Sequence, residues 1–203
     1  MYVKLLGYQI DSSAWIGRSI VNVVNLQMGP GSRIGHMSII RNLESLELSD
    51  GARIGTFNWI FGYVGKSLDF FKEEIYRKST LIVGEQSAIT ARHIIDCIDG
   101  VNIGKFSIVA GHRSQLLTHS IDLKQARQSC APITIGDYCF IGTGCILLKG
   151  ANVPSCSIVS AGSVFSATTV SQKYSLFSGN PAVIVKQIPE NYAFFCRLEG
   201  FIH

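Results

Sequence analysis

The sequence contains no apolar stretch long enough to cross a membrane, because no window reaches the roughly 18 apolar residues that a spanning helix requires. None of its six cysteines belongs to a Cys-x-x-Cys pair, so we interpret most of them as packing residues in a reducing compartment. The residues behind the net charge of +4 form no basic block, so nucleic-acid binding is not expected, although an anionic cofactor or sugar would be compatible. Polar residues interrupt the N-terminal stretch too early for a signal peptide, so we expect a cytoplasmic protein without an integral membrane segment.

A six-residue repeat runs without a break from residue 135 to residue 163. Each unit has an aliphatic residue at its first position and a small residue at its fifth position. The aliphatic positions are Ile135, Ile141, Leu147, Val153 and Val159, and the small positions are Cys139, Cys145, Ala151, Ser157 and Ser163. A helix would spread these aliphatic residues around its whole circumference, and simple strand alternation has a period of two. The repeat therefore predicts a β-solenoid with short flat faces.

The repeat resembles that of the hexapeptide-repeat acyltransferases, in which Gly often follows the aliphatic residue, as Gly136 and Gly142 do here. The resemblance covers roughly residues 14–190 and is strongest from 97 to 186. It implies an all-β fold, a left-handed parallel β-helix in which three hexapeptides form one triangular coil. Large aliphatic residues pack inward on the faces of such a coil, and only small residues fit beside them near its corners. The nearest likeness is to O-acetyltransferases that act on sugars and polysaccharides.

The length of 203 residues and the hydrophobic content of 47% are sufficient for one sizeable core. We predict a first strand within residues 1–13, a β-helix domain over residues 14–170 and a C-terminal tail over residues 171–203. Pro189 begins a short helix in that tail, which is expected to run through Leu198 and to cap the open end of the solenoid or cover a neighbouring subunit.

Two insertions interrupt the predicted coils. Pairs of Ile or Val with Gly end at Gly35, Gly55, Gly84, Gly104 and Gly136. A coil of three hexapeptides needs about 18 residues, so the two longest intervals, from Gly55 to Gly84 and from Gly104 to Gly136, indicate insertions. In residues 66–79, the spacing of Leu68, Phe71 and Ile75 predicts a short amphipathic helix, either a packing element or a lid. The second insertion lies between residues 104 and 135, and such a polar excursion from a regular scaffold is where function tends to lie.

The resemblance implies that His119, in the second insertion, is the general base. A neutral imidazole would remove the proton from an acceptor hydroxyl as its oxygen attacks a thioester carbon. Asp99 follows the start of its coil at Val83 by the same interval as His119 follows Ile103, so we predict that Asp99, or nearby Asp96, orients the ring. Asp122 in the same loop is the competing candidate.

The resemblance also implies acetyl-CoA as the acyl donor and no metal. A Gly-Asn-Pro-Ala turn at residues 179–182 is similar to a segment that follows the last coil in the family. The positions that match cofactor-lining positions of the family are Gly142, Thr143, Ala161, Ser166 and Lys186. The expected acceptor is a sugar or glycan precursor, and a homotrimer is expected because flat solenoid faces bury one another.

Three alternatives remain open on the sequence. A zinc hydratase of the γ carbonic anhydrase type would use His93, His112 and His119 as metal ligands. A cysteine nucleophile would have to be Cys130, but no motif places that residue against His119. A scaffold without catalytic activity could also retain the solenoid.

Overall fold

The computed structural model describes residues 7–65, 70–200 and 202, and almost all of their regular structure is β-strand. The strands are β1 (Gln9–Ile10), β2 (Trp15–Ile16), β3 (Ile20–Met28), β4 (Arg33–Ile34), β5 (Ile39–Leu48), β6 (Arg53–Ile54), β7 (Trp59–Gly62), β8 (Thr80–Val83), β9 (Ala88–Ala91), β10 (Ile94–Cys97), β11 (Val101–Ile103), β12 (Ile108–His112), β13 (Gln115–Leu117), β14 (His119–Asp122), β15 (Arg127–Cys130), β16 (Ile133–Ile135), β17 (Phe140–Ile141), β18 (Ile146–Leu148), β19 (Asn152–Val153), β20 (Ile158–Val159), β21 (Val164–Phe165), β22 (Ser175–Gly179) and β23 (Ala182–Gln187). A short helix, α1, covers Ala193–Cys196. Within these described ranges, no helix is long and apolar enough to span a membrane.

The strands stack into three faces around one axis, which confirms the predicted parallel β-helix. The first face is the parallel ladder β2-β4-β6-β9-β12-β17-β20-β22, to which β23 adds an antiparallel strand. The second face contains β7, β10, β13, β18 and β21, and the third contains β1, β8, β11, β16 and β19. β3 and β5 bend around the edge between them, so that residues 39–41 pair with β7 and residues 45–48 pair with β8.

Three edges separate these faces, and each can be defined by one coil. Edge A joins the first face to the second and includes residues 142–145. Edge B joins the second face to the third and includes residues 118–132. Edge C joins the third face to the first and includes residues 136–139. The predicted first strand corresponds to β1, which pairs with β3, while residues 1–6 lie outside the described residues. The boundaries at residues 13 and 170 stay predictions.

The inward positions of the repeat form the core, as predicted. All ten aliphatic and small positions of residues 135–163 are at most 1% exposed. On the first face, Ile141 and Val159 stack directly on each other, and Phe177 continues the same column into the last coil. Full burial of one such side chain contributes about 1.5–3 kcal/mol. The hydrophobic column therefore fixes the register between coils.

The strand register corrects one of the predicted coil lengths. Ile34 pairs with Ile54, and Ile54 pairs in turn with Ile89, so the coil that starts at Ile54 contains the whole first insertion. The predicted coil length, from Gly55 to Gly84, is wrong because Gly55 lies on edge A and Gly84 lies on edge C. The later intervals, from Gly84 through Gly104 to Gly136, compare residues on one edge and are confirmed by the strand register.

The helix predicted for the first insertion is wrong for the residues that the structure describes. Leu68 lies outside the described residues, and residues 70–79 form turns. The N–H of Glu74 donates to the carbonyl of Phe71 at 2.9 Å, and the N–H of Arg77 donates to the carbonyl of Glu74 at 3.2 Å. Phe71 has φ 57°, which is incompatible with a right-handed helix.

At edge C, five coils turn at a non-glycine residue whose backbone lies in the left-handed region. The φ values are 56° at Gln86, 54° at Phe106, 54° at Tyr138, 58° at Cys156 and 55° at Tyr174. The ring of Phe106 stacks on that of Tyr138, with centroids 4.9 Å apart. This column of side chains provides a largely aromatic surface outside the prism.

The C-terminal tail packs along edge C. Tyr138 donates through its hydroxyl to the carbonyl of Arg197 at 3.3 Å, and the N–H of Gly200 donates to Gln86 Oε1 at 3.1 Å. The predicted terminal helix is present only as the single turn α1. The expectation that it caps the open end is wrong, because the tail lies along edge C, where the Phe195 ring is 5.6 Å from the Tyr174 ring. That it covers a neighbouring subunit stays a prediction.

Candidate active site

Edge B carries both insertions, so the solenoid brings them together. The first insertion leaves the second face after β7, and the second leaves the same face after β13 and forms the antiparallel hairpin β14-β15. The N–H of Cys130 donates to Glu74 Oε1 at 3.4 Å. An ion pair joins Arg127 to Glu73 at 3.7 Å. The two insertions therefore form one structure outside the prism.

His119 lies where the hairpin leaves the prism, and its Nδ1 contacts Asp96 Oδ2. The His119 side chain is 36% exposed, whereas that of Asp96 is fully buried. Asp96 also accepts hydrogen bonds from the N–H of Ile98 at 2.9 Å and from Thr118 Oγ1 at 3.4 Å. These donors satisfy a buried charge that would otherwise be costly.

The hydrogen bond to Asp96 raises the pKa of His119 above its usual value, against the opposing effects of burial and of the Lys149 ammonium. Because a carboxylate accepts from Nδ1, the neutral ring carries its proton on Nδ1 and has a free lone pair on Nε2. Lys149 is itself held near the ring, since its Nζ donates to Ser129 Oγ of the hairpin at 2.9 Å. The arrangement is suited to accepting a proton at Nε2.

Asp99, the predicted partner, does not contact the imidazole. Asp99 Oδ1 instead accepts from the N–H groups of Lys78 at 3.3 Å and Gly100 at 2.7 Å. Asp96 pairs with Leu117 across the second face, and two residues later, at His119, the chain leaves the prism to form the hairpin. An equal interval from each coil start therefore does not identify residues that are neighbours in space.

Asp122, the competing candidate, also binds backbone. Its Oδ1 accepts from the N–H groups of Lys124 at 3.0 Å and Gln125 at 3.2 Å. It therefore stabilises the turn at the tip of the hairpin. Of the three carboxylates considered, Asp96 is the one that reaches the ring.

Cys130 is the cross-strand partner of His119 in the hairpin, a juxtaposition that no motif revealed. Burial, followed by the negative charges of Asp99 and Glu74, raises the pKa of the Cys130 thiol to about 12. A thiol with that pKa is almost entirely protonated near neutrality and is a weak nucleophile.

A cleft of about 440 Å³ opens between the insertions. Its walls include Phe71 and Glu73 from the first insertion and Ile121, Arg127 and Gln128 from the second. The Phe71 ring also meets the His119 ring, with centroids 6.0 Å apart and planes at 83°. Sequence reasoning read Phe71 only as part of a helical pattern, and no sequence signal paired it with His119.

The predicted cofactor residues are divided among different parts of the prism. Gly142, Thr143 and Ala161 lie on edge A, where Thr143 Oγ1 bonds the backbone of His112 at 2.9 Å. Ser166 follows β21 on edge B, the edge that carries His119. The exposed Lys186 is in β23, beside the first face. The second face separates the first group from His119 within one chain.

The three histidines proposed as zinc ligands do not converge. His93 is buried on edge A, where its Nε2 bonds Thr90 Oγ1 at 2.9 Å and its Nδ1 accepts from the N–H of Ser114 at 3.1 Å. Both ring nitrogens are therefore occupied by the chain itself. Burial, followed by the charge of His112, lowers the pKa of His93 to about 4. Among residues 7–65, 70–200 and 202, no group of three His, Cys, Asp or Glu residues is arranged to hold a metal.

Comparison with known proteins gives structural relatives only. No protein-family model and no curated protein matches the sequence. A polysialic acid O-acetyltransferase, OatWY, superposes with a TM-score of 0.69 at 17% identity, covering 94% of this chain and 90% of that chain. A variant of AntD, an N-acyltransferase from Bacillus cereus, in complex with dTDP-4-amino-4,6-dideoxyglucose and coenzyme A, gives 0.51 at 11% identity, covering 93% and 88%.

A hexapeptide-repeat acetyltransferase from Vibrio cholerae gives a TM-score of 0.48 at 24% identity and covers 54% of this chain. That match spans 63% of the length of the Vibrio cholerae chain. At these levels of identity the comparisons identify a fold. This chain has the left-handed parallel β-helix of the hexapeptide-repeat acyltransferases, as its repeat predicts.

Proposed function

We propose that this protein is an acetyl-CoA-dependent O-acetyltransferase that acts on a sugar hydroxyl, with His119 as the general base. The observation that carries the proposal is the His119–Asp96 pair beside the cleft between the insertions. A half-exposed imidazole backed by a buried carboxylate is the arrangement that general-base catalysis requires.

His119 Nε2 accepts the proton of the sugar hydroxyl while the sugar oxygen forms a bond to the thioester carbon. When the carbon–sulfur bond breaks, the thiolate of coenzyme A leaves and takes the proton from His119. Asp96 stabilises the imidazolium that exists between these steps, because its carboxylate already accepts from Nδ1. Backbone N–H groups near edge B would stabilise the oxyanion. No covalent acyl-enzyme is involved, in keeping with the high pKa of the Cys130 thiol.

The proposed cofactor site draws on two copies of the chain. One acetyl-CoA can contact both edges only if edge A and edge B come from neighbouring subunits. Edge A would then provide Gly142, Thr143 and Ala161, and edge B of the next subunit would provide His119 and Ser166. Lys186 would lie near the nucleotide end of the cofactor. A homotrimer provides that juxtaposition.

An exposed apolar column on the second face supports assembly. Ile20 is 59% exposed, Ile39 40%, Trp59 52% and Ile94 37%, and the four stack in register. Burying such a column against another copy would be favourable.

The acceptor that we propose is a sugar or a surface-polysaccharide precursor. Two structural relatives support this class, since one is a polysialic acid O-acetyltransferase and the other was solved with a nucleotide-linked amino sugar. The cleft of about 440 Å³, with apolar and charged walls, could accept a sugar ring. We place the reaction in the cytoplasm, where acetyl-CoA is available and where the six free cysteines would stay reduced.

The experiment that tests the function is an acceptor screen with labelled acetyl-CoA over sugars, nucleotide sugars and amino sugars. The wild-type protein should acetylate at least one hydroxyl acceptor. His119→Asn, whose amide can still donate to Asp96, should lose about 10²- to 10⁴-fold in turnover while keeping its circular dichroism spectrum. His36→Ala, on edge A, is the matched control and should remain active. Equal turnover in His119→Asn and wild type would refute the assignment.

A further inference from the structure

The hydrogen bond to Asp96 restrains the His119 ring but does not by itself define its orientation fully. Small changes in the two side-chain torsions can keep the Nδ1–Asp96 contact and still alter the direction of Nε2. The Phe71 ring lies 6.0 Å from the His119 ring, with the planes at 83°. Perpendicular ring pairs at such distances attract each other and favour one mutual orientation. We infer that Phe71 is a positioning residue that sets the direction of Nε2, an inference that rests on the proposed role of His119.

The backbone of Phe71 indicates that its position is enforced by its surroundings. Its φ of 57° places a bulky residue in the left-handed region, which such residues rarely adopt. Unfavourable backbone conformations persist where neighbouring groups hold them, and they cluster at functional sites. The contacts that hold Phe71 should therefore be identifiable.

Arg77 provides those contacts. Its guanidinium lies over the Phe71 ring at 5.3 Å and over the Tyr63 ring at 5.2 Å. It donates to the carbonyl of Tyr63 at 2.7 Å, to that of Ile98 at 3.2 Å and to that of Gly65. Arg77 thus attaches the first insertion to the prism and packs against the Phe71 ring.

These contacts connect five residues in a closed ring. Ile98 accepts from Arg77 through its carbonyl and donates through its N–H to Asp96 at 2.9 Å. Asp96 contacts His119, His119 contacts Phe71, and Phe71 contacts Arg77. Because each residue of this ring contacts the next, displacement of one side chain should shift its neighbour. The first insertion therefore helps to orient the His119 imidazole, and it also forms a wall of the cleft.

Phe71→Ala tests the inference, and Phe57→Ala is a matched control. Phe57 has φ 58° and lies under Arg92 at 5.4 Å, but it is on edge A, away from His119. With the acceptor found in the screen, Phe71→Ala should lower kcat by about 10- to 100-fold, since misorientation of a reacting group costs this much. The KM for acetyl-CoA should not change, and Phe71→Tyr should restore kcat to within about threefold. Arg77→Lys, which loses the planar fork, should give an intermediate kcat.

A second measurement does not depend on activity. In histidine-labelled protein, NMR should show that the Nδ1 proton of His119 exchanges with water about tenfold faster or more in Phe71→Ala, because the ring would leave Asp96 more often. Phe57→Ala should leave that rate unchanged. Unchanged exchange and unchanged kcat in a folded Phe71→Ala protein would overturn the inference. If wild type transfers no acetyl group, the proposed function fails, and the exchange rates still decide whether Phe71 positions the ring.

Discussion

Two histidines on adjacent coils show how position in the solenoid determines what a side chain does. His93 occupies the inward position of edge A, is 1% exposed and has both ring nitrogens bonded by the chain. His119 lies in the insertion of edge B, is half-exposed, and has Nδ1 bound to Asp96, while its Nε2 has no hydrogen-bond partner among the residues that the structure describes. Burial lowers the pKa of the first, and a carboxylate raises the pKa of the second. Of these two residues, the histidine in the regular coil is structural, and the histidine in the insertion is available for chemistry.

The largest effect on activity is expected from removing the carboxylate that is bound to His119. Asp96→Asn should lower kcat by about 10²- to 10⁴-fold, because an amide can stabilise neither the imidazolium nor the required tautomer. The fall of kcat/KM on the acid side should also move to lower pH, since the carboxylate that raises the His119 pKa is gone. Steady-state kinetics across pH measures both changes. Asp99→Asn is the control and should stay within about threefold of wild type, so an equal loss there would remove Asp96 from its role.

The structural role of His93 should appear in stability. His93→Ala should lower the free energy of unfolding by about 2–4 kcal/mol, because it leaves a cavity and an unpaired N–H on Ser114. His112→Ala, an exposed histidine on the same edge, should cost less than about 0.5 kcal/mol. Urea unfolding at one fixed protein concentration measures both. Equal stability of the two variants would mean that the buried hydrogen bonds of His93 contribute little.

The two histidines should also give opposite dependences of stability on pH. The folded-state pKa of His93 is about 4, below its unfolded value near 6.5, so acid protonates the unfolded chain first. Stability should fall by at most about 3 kcal/mol between pH 6.5 and about 4. The raised pKa of His119 instead contributes stability below about pH 6.5 that is lost as pH rises through its folded value. Denaturant unfolding from about pH 4 to 8 should show a flatter acid limb in His93→Gln, and an unchanged limb would contradict the assignment.

The smallest effect on activity is expected at Cys130. Although this residue lies opposite His119, its thiol has a pKa of about 12, so Cys130→Ala should keep acetyl transfer within about twofold. Acetyl transfer measured alongside wild type tests this. Isolation of an acetylated Cys130 from the working enzyme would instead establish a covalent route.

The fold was predictable because the repeat is a local rule applied many times. Every aliphatic position of residues 135–163 faces inward. The inward residues of each hexapeptide can be recognised from that hexapeptide alone, without knowledge of the other coils. The same repeat revealed the second insertion, because an interruption is easily recognised in an otherwise regular pattern. It also placed His119 in that insertion.

The partner of His119 was harder to predict, because it depends on register between coils. Asp96 pairs with Leu117, after which the chain leaves the prism, so counting along the chain assigns Asp99 where the structure has Asp96. The first insertion was also misread, since Phe71 and Ile75 have helical spacing while the chain forms turns around Arg77. Contacts between insertions have no periodicity that a sequence could display.

The aromatic strip on edge C has a practical consequence. Phe106 and Tyr138 have strained backbones that glycine would relieve, yet the tail depends on both, because Arg197 lies over the Tyr138 ring and donates to the Phe106 carbonyl. Shortening the protein before Tyr192 would keep every rung of the prism and uncover that strip. We expect such a truncated protein to self-associate, although nothing in its hydrophobic interior would have changed.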